Sequence, residues 1–138
     1  MNATAFRSRF VTDGLATSSP QVLLVRLYDR LVRDLTAAEA AQRAGDRGAA
    51  STQLLHAQSI VEVLAAGLDA DAWEGAAQLQ ALYTFLTTEL VSANVTMDAD
   101  KTASCLALVE PLRQAWHGAA TGGEAGAGSA MTTVQTSA

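Results

Sequence analysis

Catalysis at neutral pH needs titratable or nucleophilic side chains held together, and this 138-residue chain offers few candidates. A carboxylate-bridged two-metal bundle needs a histidine three residues after a glutamate on two of its helices. Glu39, Glu62, Glu74, Glu89 and Glu110 all lack it. His56 and His117 are far apart in sequence and not at a zinc-binding spacing, so ordinary surface or core-edge roles are expected for both. Cys105, the single cysteine, reads as a small core residue, since one thiol makes neither an internal disulfide nor a metal cage. The paired carboxylates Asp69 and Asp71, and Asp98 and Asp100, are at positions where a helix start favours negative charge. No phosphate-cradling glycine loop and no nucleophile elbow occurs. The glycosylation triplets at Asn2 and Asn94 are short enough to arise by chance. We therefore expect no enzyme, no metal and no cofactor.

The composition says what must position such a chain's other residues. Apolar residues make up 49% but aromatic ones only 5%, with abundant alanine, which suits helices better than packed strands. A formal charge of −5 with nine scattered basic residues argues against nucleic acid as a partner. No apolar run approaches the roughly 20 residues that cross a bilayer, so no membrane insertion is expected. The first ten residues mix Arg7 and Arg9 with polar side chains, unlike a secretory leader. With one cysteine this predicts a soluble protein of a reducing cytosol. The length predicts one domain: a flexible N-terminal arm over residues 1–18, a helical domain over 19–117, and a disordered Gly/Ala/Ser/Thr tail over 118–138.

Within the domain the apolar spacing predicts four helices. Ser19 before Pro20 opens the first, to about Ala44, with a stripe of Leu24, Leu27, Tyr28, Leu31, Leu35 and Ala38. Asp46 caps the second, to about Ala66, with Ala50, Leu54, Ala57, Val61, Leu64 and Leu68 on one face and Gly67 at its end in a position favouring positive φ. The third begins at Asp69 or Asp71, ends near Thr96, and carries Leu79, Leu82, Tyr83, Leu86, Leu90 and Ala93. The fourth runs from about Asp98 to Trp116, with Cys105, Leu108, Val109, Leu112 and Trp116, and Pro111 predicts a kink or a break in it. Short connections between amphipathic helices predict an all-α, antiparallel four-helix bundle.

Bulky apolar residues remain on the shoulders of these stripes: Leu23, Val25, Val32, Leu55, Ile60, Val63, Phe85, Val91 and Leu106. Either the apolar faces are simply wide, or a hydrophobic groove accepts an amphipathic helix.

Two segments carry a resemblance. The run Ser19-Pro20-Gln21-Val22-Leu23 to Leu27-Tyr28-Asp29, and Leu79 to Leu82-Tyr83 followed by Leu90-Val91-Ser92-Ala93-Asn94 and Asp98, resemble in order and spacing the motifs of the flagellar secretion chaperone family FliS. Trp116 falls where that family usually ends its fourth helix. Arg30, Gln78 and Phe6 depart from the usual Gly, Asn and Tyr, and Pro111 is unusual. The resemblance implies an antiparallel four-helix bundle that binds the C-terminal segment of flagellin along hydrophobic grooves. It also implies the flagellar export gate and other flagellar regulators as further partners. Expected peptide-binding residues are Gln78, Leu79, Leu82, Tyr83, Leu86, Leu90 and Asn94 on the third helix, Ile60 and Val63 on the second, and Leu106 and Leu108 on the fourth. Phe6 and Phe10 of the arm are expected to cover the groove in the free protein. A regulatory or self-associating bundle with a different flagellar partner is the alternative.

Overall fold

The computed structural model describes residues 20–121. Among them are four helices and no strand: α1 (Pro20–Arg43), α2 (Arg47–Ala66), α3 (Ala76–Thr96) and α4 (Ala99–Thr121). The Ser19 cap, the arm with Phe6 and Phe10, and most of the expected tail lie outside the described residues.

The helices pack in a ring. α1 lies against α2 and α4, α2 against α3, and α3 least extensively against α4, so α1 and α3 occupy diagonal corners. Cross-helix pairs fix the antiparallel register: Arg43 with Asp100 at 3.2 Å and Asp29 with Arg113 at 3.3 Å join α1 to α4. Asn94 donates to Ser51 at 3.4 Å between α3 and α2. Most of the predicted stripe residues form the core, with Leu27, Tyr28, Leu31, Leu35, Leu54, Val61, Leu64, Leu86, Leu90 and Val109 all buried, but Leu108, assigned to the α4 stripe, is 42% exposed.

Tight connections set the bundle's ends. Gly45 joins α1 to α2 at φ 77°, where an L side chain would be strained. Gly45→Ala is therefore expected to destabilise by about 1 kcal/mol, read from urea unfolding, although its Cβ would meet nothing within 4 Å. The Asp46 carboxylate accepts the Ala49 N–H at 3.1 Å, the cap expected for α2.

Elsewhere the structure departs from the expectations. The third helix starts at Ala76, not at Asp69 or Asp71. Asp69 instead accepts the Asp71 N–H on its side chain at 3.0 Å and the Ala72 N–H on its carbonyl at 3.1 Å, which turns the chain before a helix can form. The Trp73 ring then lies over the backbone at Gly75, where a Cβ would stand 2.1 Å from a ring carbon. Gly67 takes a helical φ of −85° and its N–H caps Val63 and Ala65. Besides Gly45, the left-handed conformation falls on Met97, at φ 55° beyond α3. Helix α4 passes through Pro111 without a break and extends beyond Trp116, because Ala119 also reaches the core. Ile60 and Val63, assigned to shoulders by their spacing, are core residues, while Leu23, Val32 and Leu106 pack against the core's edge.

Among the described residues, three polar residues absent from the predicted stripes are buried in the bundle: Asp34, Gln42 and Thr102. Asp34, 1% exposed, sits on the buried face of α1, pairs with Arg30 at 3.0 Å and meets His56 of α2. Gln42 donates to the Ala93 carbonyl at 3.0 Å, tying the end of α1 to the end of α3.

Candidate functional site

Helix α3 differs in kind from its neighbours. Glu89 is its single charge, and Lys101 of α4 lies 3.8 Å from it. Its outer surface is made of alanine, glutamine, threonine and large apolar side chains. All four threonines bond back to the helix: Thr84 to the Gln80 carbonyl, Thr87 to Tyr83, Thr88 to Thr84 and Thr96 to Ser92, at 2.7–3.2 Å. Each hydroxyl proton is thereby spent on the backbone of its own helix. This withdraws polarity from the outward face.

Around this helix lie five of the six large apolar side chains exposed among the described residues: Phe85, Val91 and Val95 on α3, Leu55 on α2 and Leu108 on α4. Val95 is 71% exposed, Leu55 54% and Phe85 50%. They fall into two seams. From the Glu89–Lys101 pair, one helical turn along the antiparallel α3 and α4 brings Phe85 level with Cys105, and two turns bring Leu82 level with Leu108. From Asn94–Ser51, one turn brings Val91 level with Leu55 on the other side of α3. The result is a face with an apolar seam along each edge, whose one ion pair, Glu89–Lys101, stands at the α3–α4 edge.

The expected binding residues distribute across this face and beneath it. Gln78 and Leu108 are exposed, and Leu79, Leu82 and Leu106 are half-buried at the core's margin. Asn94 is half-buried and points its amide at Ser51. Tyr83, Leu86, Leu90, Ile60 and Val63 are buried and form the floor. Val95 was not singled out by the sequence reading. Its signal was a β-branched apolar residue one turn beyond Val91, with no charge between them.

The floor is locked by a phenol pair. The Tyr28 and Tyr83 hydroxyls meet at 2.6 Å across the diagonal of the bundle. The Trp116 ring stands 6.3 Å from that of Tyr28, its indole N–H close to the Tyr28 hydroxyl but not aligned to bond with it. Burial raises both phenols above their ordinary pKa, for Tyr28 against the opposing hydrogen bond with Tyr83. Both stay neutral and hold α3 in place. Beneath the α3–α4 seam, burial pushes the Cys105 thiol up to about 11, Glu89 adding to the shift and Lys101 opposing it, so the thiol is protonated and unreactive.

At the far side Asp29 joins α1 to the last turns of α4 through His117 at 2.7 Å and Arg113 at 3.3 Å. Partial burial pushes its carboxyl up, but His117 and Arg113 outweigh this and hold it below the usual value of 3.8. A depressed carboxyl stabilises the fold above its unfolded pKa, and that contribution is lost as pH falls through the folded value. Asp29→Asn is thus expected to cost up to about 1 kcal/mol at pH 7. The difference from the native chain is expected to shrink as pH falls below the ordinary aspartate range and to vanish only once pH lies below the depressed folded value, read from urea midpoints across pH.

The described residues thus form a helical bundle with a charge-poor, apolar-edged face and a locked interior. The family model described as flagellar protein FliS matches residues 2–123, and the chain belongs to that family. The family is one of flagellar export chaperones and is not known for enzymes. No curated protein sequence matches the chain. Among the described residues, no helix is long and apolar enough to cross a membrane.

Proposed function

We propose that this protein is a cytosolic chaperone for flagellin. It holds the disordered C-terminal segment of flagellin on the outer face of α3, prevents its premature polymerisation and keeps it competent for flagellar type III secretion. The observation that carries this reading is the charge-poor α3 face with an apolar seam on each side, in a chain of the FliS family. A segment that assembles by helix packing presents an apolar stripe when helical. Such a stripe fits a seam between two helices and meets there only the Glu89–Lys101 pair, whose charges offset each other.

The energetics suit a carrier. Apolar burial contributes roughly 25 cal/mol per Å². Ordering a disordered cargo costs several kcal/mol of that gain, leaving an affinity that permits release. The buried phenol pair and the Asp34–His56 contact keep the platform fixed, so the cargo bears most of the ordering cost.

Calorimetric titration with a peptide of about the last 40 residues of flagellin tests this reading. Saturable 1:1 binding, a negative heat-capacity change and a gain in peptide helicity are expected. Absence of both heat and helicity, together with a dimer that persists when the peptide is added, would replace this reading by the self-associating bundle.

A further inference from the structure

The charges of the bundle are segregated by helix. Among the described residues Arg26, Arg30, Arg33 and Arg43 lie on α1, Arg47 begins α2, Lys101 and Arg113 lie on α4, and α3 has no basic residue. Arg26, Arg30 and Arg33 follow each other at four- and three-residue spacing, so they form one line along the helix, all of them exposed. Over seven residues that line is roughly 10 Å long. It lies on the corner diagonal to α3 and therefore faces away from the neutral face.

The acidic groups nearby are already engaged. Arg30 gives its Nε to Asp34, which also meets His56. Asp29 is taken by Arg113 and His117, and Glu39 by Arg43. Arg26 and Arg33 have no ion pair among the described residues. In a chain of net charge −5, two unengaged guanidinium groups flank a third that uses one nitrogen.

We infer that this outer line of α1 is a second docking surface, for an acidic segment of another protein. Guanidinium groups pair with carboxylates through two parallel hydrogen bonds, and carboxylates at helical spacing match the arginine line one for one. A polyphosphate is a poorer fit. DNA presents a charge every 1.7 Å or so and typically needs six to ten basic contacts. Here the line holds three arginines. The surface itself does not depend on the α3 reading. That both faces are occupied together, so that a second protein can receive the loaded chaperone, rests on it.

The test uses the full chain and a fluorescein-labelled peptide of eight glutamates, followed by anisotropy at low salt. Duplex DNA of about 20 base pairs and phosphatidylserine vesicles are titrated in parallel. We expect the peptide to bind, to weaken as salt rises through the range where the Debye length falls below about 10 Å, and to lose about tenfold in affinity in an Arg26→Glu/Arg33→Glu variant of unchanged helix content. Binding of the flagellin peptide to the same variant is expected to be unchanged, which separates the two faces. No binding of the glutamate peptide, or equal binding to both chains, overturns the proposal. So does arginine-dependent binding of DNA or vesicles that is tighter than that of the peptide, which would assign the line to phosphate groups.

Discussion

Substituting aspartate for Phe85 is expected to weaken binding of the flagellin segment by about thirty- to a hundredfold while leaving the unfolding midpoint almost unmoved. Phe85 is 50% exposed, so a cargo covering it would remove roughly 100 Å² of apolar surface from water, worth about 2–3 kcal/mol. At 1.4 kcal/mol per tenfold that is the stated range, and the desolvated carboxylate adds to it. Stability is spared because the side chain is absent from the buried core. Leu108→Asp, on the facing helix, is expected to act in the same direction with a smaller effect, since its exposed area is smaller. Calorimetry with both variants checks the point. If Phe85→Asp binds like the native chain, the α3–α4 seam is not where the cargo lies.

The second large effect concerns stability. Tyr83→Phe leaves the Tyr28 hydroxyl buried without its partner, and Tyr28→Phe does the converse. Each is expected to cost about 1–3 kcal/mol, the penalty of a stranded buried polar group. The double variant removes both hydroxyls and strands neither, so it is expected to cost less than the sum of the singles, by about 1 kcal/mol or more. Urea unfolding of the four proteins gives this coupling. Additive costs would show that the 2.6 Å contact contributes little in solution. Because the pair spans the diagonal from α1 to α3, its loss is also expected to loosen the platform on which the cargo rests.

Much of this fold was legible in the sequence because helical periodicity is a strong signal where helices are long. The α1 stripe from Leu27 to Ala38 and the Asp46 cap could be read directly, since each depends on neighbours within four residues. What could not be read depends on partners distant in the chain. Asp34 occupies a core position as a carboxylate, and the His56 that makes this tolerable comes from another helix. The segment 67–75 reads as a helix start by its aspartates, yet Asp69 uses its carboxylate to close a turn instead.

The candidate site shows the same division. The seam residues Leu55, Phe85 and Val91 stood out because they fell outside every stripe, but the same criterion selected Ile60 and Val63, which are core. A stripe drawn one residue wide misjudges α2, which packs against both α1 and α3 and so buries a wider face. The neutrality of α3 was available by counting charges. The withdrawal of its threonine hydroxyls into the helix was not, because those bonds depend on rotamers that composition does not specify.

The central claim is that cargo lies on the outer face of α3, and amide and methyl chemical-shift mapping tests it most directly. The experiment titrates the isotope-labelled full chain with the unlabelled C-terminal flagellin peptide. The account predicts shifts concentrated at Leu55, Leu82, Phe85, Val91, Val95 and Leu108, with Arg26 and Arg33 undisturbed. Shifts concentrated on the outer line of α1, with the two seams of α3 silent, would contradict it.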